Sequence, residues 1–489
     1  MRKSRWISVL MASFLLAGCG SGQAQTQTSA GAKTGDQEAA AEKSGETAGN
    51  GQKEDFLPAQ GSVRILASVT GGKDEEEMKL FEKALSDATG LTVTIEKPAS
   101  DYDKILMQKL SGGEKYDLIY LNAPQYLNLI QQDALMDLTK YKEQSRILTD
   151  NIDPQEWKDI TVDGKVYAGF NKKEVHRVVA LNNTLLKEAG IDYKTIEPTM
   201  DGYYQVLKTL KDKSKKTDFY PFEAVMSQAW DLQPYMAAAG AKEGVLTDEN
   251  GKRYAPYAQD DAAVVWEWFK KLYDNGLMDP ASFVDETKNQ REKMGASSQN
   301  IAMCADWAAW VGLHNAGAKA AGVAEDQYEI VSLPGLKTPD GSYMLGKGGA
   351  SLFAVPANAE NPEGAIRVLE YFATQEGGNL LSSGIEGHDY TVSGNDYKLT
   401  EEGAAHGNDH GAPFPIFKDY KPLFDHNPGV DEAMSYAKYA SIDTIIPNEG
   451  DYKEIVGKWG IQIIKGDVDA KAGLKKMREE LVERGVTDR

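Results

Sequence analysis

Short apolar runs alternate with amphipathic stretches in the first ordered part of the chain. The predicted elements are, in order, strand 63–67, helix 75–89, strand 91–95, helix 101–110 and strand 117–121. Asp74 is a suitable N-cap for the first helix, and Gly90 is a suitable end. A β-α-β-α-β order predicts a parallel sheet covered by helices. Ligands of such sheets meet the loops at the carboxyl ends of the strands, which here are 68–73 and 122–126.

Helical periodicity dominates the middle of the chain, from about 181 to 289. It is clearest at 260–275, where four large apolar residues share one face. The other predicted elements are helix 182–189, strand 300–305, strand 330–333, strand 351–355, helix 365–374 and helix 470–484. Strands and helices are therefore interspersed throughout, which predicts an α/β protein.

A basic start and a short apolar segment open the chain. Three basic residues among the first five precede an apolar run over 6–17, which predicts a secretory signal peptide at 1–18. The motif Leu16-Ala17-Gly18-Cys19 resembles a bacterial lipoprotein lipobox. That resemblance implies cleavage before Cys19 and lipidation of this residue. The alternative is an ordinary secreted protein in which Cys19 occurs by chance.

The residues that follow are small or polar. Gly, Ala, Ser, Thr, Gln, Glu and Lys make up nearly all of the stretch from Gly20 to about Gln60. Such a stretch buries too little apolar surface to offset its chain entropy. We therefore expect 19–60 to be a lipidated Cys and a disordered tether, with a reach of roughly 35 Å.

Composition narrows the choice of partners. The 489 residues are 41% hydrophobic and 26% charged, and their formal net charge is −20. This acidity disfavours nucleic acid and anionic lipid as partners. If Cys19 is lipidated, Cys304 has no partner for an intrachain disulfide, and its apolar surroundings predict a buried thiol. No apolar run after the signal peptide is long enough for a transmembrane helix.

Four segments resemble the family 1 extracellular solute-binding proteins. Residues 163–169 (DGKVYAG) and 180–191 (ALNNTLLKEAGI) match one family segment. Residues 361–367 (NPEGAIR) and 384–390 (GIEGHDY) resemble the large oligosaccharide-type lipoproteins of that family. The resemblance covers roughly 62–488.

The resemblance implies a two-lobed α/β fold of the periplasmic-binding-protein type II, with hinge-connected lobes around a central cleft. We expect an N-terminal α/β lobe from 61–170 plus about 306–350. The C-terminal, helix-rich lobe is expected from 171–305 plus about 351–489.

No metal or other cofactor is expected. Some relatives carry a calcium loop, but the matching stretch 211–218 has lysines where calcium needs oxygen ligands. His406 and His410 have a metal-ligand spacing for a helix, although Gly407-Asn408-Asp409 and Pro413 favour a loop there.

The resemblance places the strongest ligand candidates after the strand at 300–305. Trp307 matches a family tryptophan that commonly stacks on a sugar ring; the alternative is core packing. Asp306 either accepts sugar hydroxyl protons or caps the next helix. Trp310 is expected on the same helix face, where core packing is the commoner role.

The remaining candidates are spread along the chain, and each also has a structural alternative. Trp230 and Tyr235 lie where relatives often place a cleft aromatic, Asn122 and Tyr126 follow a predicted strand, and Trp157 precedes a predicted hairpin. Glu386 and His388 lie in the family-specific loop, whose glycines alone would serve backbone geometry.

These inferences predict a lipid-anchored, monomeric binding protein at the extracellular face of the cytoplasmic membrane. It would bind an oligosaccharide by hinge closure and deliver it to the permease subunits of an ABC importer, without catalysis. The alternatives are a carbohydrate-active enzyme, a binding protein for a non-sugar ligand such as a peptide, and a structural surface protein.

Overall fold

The computed structural model of the chain describes residues 56–68, 74–99, 101–227, 229–349, 351–394, 396–406, 414–442, 446 and 448–489, without the side chain of Trp230. The strands are β1 (Ser62–Leu66), β2 (Thr92–Glu96), β3 (Leu118–Leu121), β4 (Ala168–Phe170), β5 (Arg177–Asn182), β6 (Leu246–Thr247), β7 (Arg253–Tyr254), β8 (Met303–Trp307), β9 (Ile330–Leu333), β10 (Leu345–Lys347), β11 (Leu352–Ala354), β12 (Tyr390–Ser393), β13 (Asp396–Leu399) and β14 (Ala440–Ile442).

The helices up to β8 are α1 (Glu75–Thr89), α2 (Tyr102–Ser111), α3 (Ala123–Gln131), α4 (Thr139–Gln144), α5 (Arg146–Asp150), α6 (Pro154–Ile160), α7 (Asn183–Glu188), α8 (Met200–Lys213), α9 (Gln233–Met236), α10 (Ala263–Asp274) and α11 (Thr287–Met294). Those after β8 are α12 (Ala308–Ala320), α13 (Pro362–Phe372), α14 (Gln375–Ser382), α15 (Glu401–His406), α16 (Val430–Met434), α17 (Glu449–Lys465) and α18 (Ala470–Glu483). No helix in the described part of the chain is long and apolar enough to cross a bilayer.

Lobe 1 is the sheet β2-β1-β3-β11-β4 with helices α1–α6, α13 and α14 packed against it. β1 pairs in parallel with β2 and β3, as the β-α-β-α-β order predicts. In β1 the apolar Val63 and Ile65 are buried, whereas Ser62 and Arg64 are exposed. This alternation fixes which face of the strand meets the core.

Lobe 2 is the sheet β8-β5-β9 with helices α7–α12 and α16–α18. β5 is antiparallel to both neighbours. Val179 and Leu181 belong to one apolar core, and Val178 and Ala180 belong to another on the opposite face. The strand is therefore covered on both sides, which explains its continuous apolar sequence. The two lobes and the mixed α/β architecture confirm the predicted fold class.

The strand pairing divides the chain differently from the expected lobe boundaries. β9 and the last two residues of β8 lie within the stretch expected in lobe 1, but both strands pair with β5 of lobe 2. β11, expected in lobe 2, pairs with β3 and β4 of lobe 1. α13 follows it there, because Leu369 fits over Gly169, where a Cβ atom would lie 2.9 Å from Cδ1 of Leu369.

The N-terminal predictions fall mostly outside the described residues. The signal peptide, Cys19 and the tether as far as 55 are among these positions. Phe56 and Leu57, which fall within the stretch expected to be a tether, pack against the core of lobe 1. The backbone N–H of Leu57 also donates to the buried carboxylate of Glu370 on α13.

Three crossing segments, 171–176, 345–349 and 414–416, lie side by side between the lobes. Lys172 forms an antiparallel bridge with Pro415, and His176 forms one with Lys347. Asn171 accepts a hydrogen bond of 2.9 Å from the Ser351 hydroxyl. A change in the angle between the lobes must therefore be absorbed in these short paired stretches.

Candidate functional site

Trp307, a candidate ligand-binding residue, lies where β8 ends and α12 begins. Trp307 is the last residue of β8 and is the register partner of Arg177, the first residue of β5. The next backbone N–H, of Ala308, donates to the carbonyl of His176 in the first crossing segment. The strand pairing thus brings Trp307 to the edge of lobe 2 that adjoins the crossing segments.

Trp307 is stacked against a buried guanidinium. Cζ of Arg177 lies 3.6 Å from the centroid of the indole ring. Nε of Arg177 lies 3.3 Å from Oδ1 of Asp231, and both side chains are almost completely buried. A cation held over an indole face is attracted by the ring quadrupole. The Arg177–Asp231 pair therefore fixes the tilt of a ring that is itself only half-buried.

A second guanidinium and indole pair lies beside the first. Asp306 accepts two hydrogen bonds from Arg291, of 2.8 Å to Nε and 2.6 Å to Nη2. Cζ of Arg291 lies 3.6 Å from the ring centroid of Trp310, whose other neighbour is the His314 ring at 5.6 Å. Bidentate pairing holds the guanidinium plane rigidly. Asp306 thus positions Arg291, and through it Trp310.

We call Asp231, Arg177, Trp307, Asp306, Arg291 and Trp310 the indole–guanidinium cluster. Burial raises the pKa of Asp231 to about 7, although Arg177 opposes this shift. Burial also lowers the pKa of His314, which favours its neutral form. With both carboxylates ionised, two arginines balance two aspartates. The cluster can then offer two oriented aromatic surfaces with no net charge, which suits a neutral ligand with flat apolar faces.

Trp307 also touches a crossing segment. A Cβ atom on Gly348 would lie 2.5 Å from Cη2 of the indole, so only glycine fits there without displacing the ring. The neighbouring Lys347 forms an ion pair of 3.0 Å with Glu156 on α6 of lobe 1. A movement of this segment towards the indole would therefore displace the ring of Trp307.

Four predicted site residues are buried and have structural partners. Asp306 is 2% exposed, and besides Arg291 it accepts a hydrogen bond from the backbone N–H of Trp307. Tyr126 donates to the carbonyl of Ile160, and Trp157 donates to that of Leu148, both within the core of lobe 1.

Tyr235 is the fourth of these residues and lies in the core of lobe 2, with no exposed surface. The apolar surface of the three aromatic rings, Tyr126, Trp157 and Tyr235, is better satisfied in the cores than in a solvated cleft. We do not keep these three in the proposed site.

Asn122, Glu386 and His388 are not members of the indole–guanidinium cluster, whereas Trp230 directly precedes Asp231 of the cluster. Asn122 caps α3 and accepts from the N–H of Gln125 at 2.9 Å, at the end of β3. Trp230 lies in a short 3-10 turn, and its side chain is outside the described part. Glu386 is exposed in a groove lined by lobe 1 residues, and half-buried His388 faces Asp389.

Sequence reasoning missed Arg177, Arg291, Asp231 and Gly348. A charged residue directly before the apolar run Val178–Leu181 was the available indication for Arg177, because burying a guanidinium requires a specific partner. Nothing local distinguishes Arg291 from other helical arginines. Its role depends on a strand 15 residues away.

Comparisons with known proteins agree with this architecture. A sequence model of the family described as bacterial extracellular solute-binding protein matches residues 78–385. Lipoprotein LipO of Bacillus subtilis strain 168 is 21% identical over 419 residues, which are 80% of this chain and 74% of LipO. A carbohydrate ABC transporter substrate-binding protein of Streptococcus pneumoniae TIGR4 is 37% identical over 131 residues, 25% of this chain and 24% of that protein.

A solved structure is similar over most of its length. The ABC substrate-binding protein from Listeria monocytogenes in complex with cycloalternan superposes with a TM-score of 0.65 at 15% identity. The match covers 87% of this chain and 99% of that one. At this identity the likeness concerns the fold.

Proposed function

The chain belongs to the bacterial extracellular solute-binding protein family, and from that premise we propose that it captures an oligosaccharide and delivers it to the permease subunits of an ABC importer. The observation that carries this proposal is the stack of Arg177 on Trp307 beside the crossing segments. The carbohydrate in the name of the pneumococcal relative and the cycloalternan in the Listeria structure support the same ligand class.

The ligand class follows from the chemistry of the cluster. A sugar ring has flat C–H faces that pack on an indole and a rim of hydroxyls that need hydrogen-bond partners. Trp307 and Trp310 supply the aromatic surface, and Asn122 is a candidate for the rim from lobe 1. No covalent step is required, so we propose a binding protein without catalytic activity.

Ligand binding would bring the two lobes together over the ligand. A ligand that contacts both lobes stabilises the closed arrangement and shifts the population towards it. The paired crossing segments are short enough to act as the hinge. Because Gly348 abuts Trp307, ligand stacking and hinge geometry are coupled.

We propose lipidation at Cys19 and a monomer tethered to the extracellular face of the cytoplasmic membrane; the lipoprotein name of the LipO relative supports this. A Cys19→Ser chain should move from the membrane fraction to the soluble fraction. Unchanged membrane association of that chain would argue against lipid anchoring.

Calorimetric titration with a panel of neutral oligosaccharides tests the proposed ligand class. Peptides are titrated as the alternative class of ligand. We expect one sugar class to bind, and Trp307→Ala to weaken its affinity by about tenfold or more, a loss of about 1.4 kcal/mol. Trp459→Ala is the matched control, because Trp459 is also half-buried beside a cation, Lys458, but lies on α17.

Two outcomes contradict the proposal. Binding of peptides without any sugar would exclude the ligand class. Release of shortened glycan after long incubation would indicate an enzyme instead.

A further inference from the structure

A second group of potential metal-ligating side chains lies at the start of α1 and in the 384–406 segment, on elements that do not contribute to the indole–guanidinium cluster. Glu77 is in the first turn of α1, His388 and Asp389 precede β12, and His406 ends α15. One ligand atom from each of Glu77, His388 and Asp389 lies within 4.8 Å of the other two. Imidazole and carboxylate are the ligand types that zinc and related divalent metals take in proteins.

Three contacts link the four residues at distances close to those between ligands of one small cation. Nδ1 of His406 lies 3.3 Å from Oε1 of Glu77 and 3.1 Å from Oδ1 of Asp389. Nδ1 of His388 lies 3.3 Å from Oδ2 of Asp389. In a tetrahedral site with metal–ligand bonds of about 2.0–2.1 Å, neighbouring ligand atoms are about 3.4 Å apart. Small side-chain adjustments would therefore admit a metal ion.

The two carboxylates of the group are deeply buried. Glu77 is 3% exposed and Asp389 is fully buried. Carboxylates in such positions need compensating partners, and both face Nδ1 of His406, which is itself a metal-ligand type. Nδ1 of His388 is also buried and makes no hydrogen bond within the described residues, although it points at Asp389. A ring nitrogen in this position is suited to donate its lone pair to a metal.

The surrounding backbone holds these ligands in place. The N–H of Ile385 donates to Oδ2 of Asp389 at 2.8 Å. The Thr400 hydroxyl donates to the carbonyl of His388 at 2.6 Å. A Cβ atom on Gly403 would overlap the carbonyl oxygen of Asp389, so α15 packs directly on this loop. Such outer contacts orient metal ligands and are part of working metal sites.

We propose that Glu77, His388, Asp389 and His406 form a site for one divalent transition-metal ion, with zinc the best fit. The site joins the start of α1 to the 384–406 segment, and so fixes the family-specific loop against lobe 1. The sequence analysis considered His406 only with His410, which lies outside the described residues. The actual neighbours of His406 are distant along the chain, which is why spacing did not indicate them.

Zinc titration of the metal-free, tag-free full chain tests the site. Calorimetry should give about one equivalent of zinc bound and a melting temperature raised by the bound metal. Glu77→Gln and His406→Gln should each weaken zinc affinity by at least about tenfold. His426→Gln is the matched control, because His426 also contacts a carboxylate, Asp431 at 2.7 Å, outside the site.

A second measurement covers the case in which a variant does not fold. Cobalt added to the unmodified chain should give the visible absorption bands of a four-coordinate site and should be displaced by zinc. Absence of zinc binding and of these bands overturns the proposal. So does equal loss of affinity in the Glu77→Gln and His426→Gln chains.

Discussion

At the scale of single residues, charged side chains orient two half-buried indole rings. The position of Trp307 was predictable, because it follows an apolar run that forms a strand, and it ends β8. Arg177 and Asp231 were not, since their pairing joins β5 to a turn more than 50 residues away. Local sequence shows which residue is aromatic, whereas tertiary contacts decide which aromatic ring is held in place.

A buried carboxylate gives a testable pH dependence. Burial raises the pKa of Glu223 to about 7, against the opposing effect of Lys293, which also contacts Asp279 and Asp285. Between the ordinary glutamate pKa and about 7, the folded chain holds a proton that the unfolded chain releases. Stability therefore falls as pH rises through this window, by roughly 1.4 kcal/mol for each unit separating the two pKa values.

Glu223→Gln should remove that decline, leaving a flatter unfolding free energy between about pH 4.5 and 7. Urea denaturation at several pH values measures it. The exposed Glu249→Gln should keep the original slope. A slope unchanged in Glu223→Gln would mean that this carboxyl titrates normally.

At the scale of elements, the start of the fold follows from local pattern and the rest depends on pairing. The order β1-α1-β2-α2-β3 was predicted and is observed. β11 was predicted as a strand, but its antiparallel insertion between β3 and β4 was not. Short apolar runs such as 330–333 and 352–354 look alike, so their sequences do not reveal which sheet each one joins. The lobe boundaries drawn after residue 305 depended on that choice.

The contact between a crossing segment and β8 can be probed by one methyl group. Gly348→Ala should displace the indole of Trp307 and weaken ligand affinity by about tenfold, or about 1.4 kcal/mol. Gly317→Ala is the control, because Gly317 is exposed within α12 and a Cβ there meets nothing within 4 Å. It should stabilise the chain by about 0.5–1 kcal/mol and leave binding unchanged. Unchanged ligand affinity in the Gly348→Ala chain would mean that the position of the Trp307 ring does not affect binding.

At the scale of the whole molecule, the core of lobe 1 and the two cores of lobe 2 are connected by paired short segments. The lobe 1 core and the lobe 2 cores have no residue in common. Segments within 163–191 and 361–390 resemble the family, and that resemblance predicted the two lobes. The crossing segments were not predictable, because residues 171–176 have no distinctive composition and are identified only by their bridges to Pro415 and Lys347.

Closure should be visible in solution. Saturating oligosaccharide should reduce the radius of gyration measured by small-angle X-ray scattering, since the lobes approach one another. The Trp307→Ala chain should need correspondingly more ligand for the same change. A radius that stays constant at full occupancy would show that binding occurs without closure.

The hydrogen bond from Leu57 to Glu370 attaches the N-terminal end of the described chain to α13 of lobe 1. Under the proposed anchoring at Cys19, a pull from the membrane would therefore act on lobe 1. In the proposed closure, lobe 2 would then be the part that changes position relative to the membrane attachment. The position of lobe 2 would be what distinguishes a loaded protein from an empty one for the proposed importer.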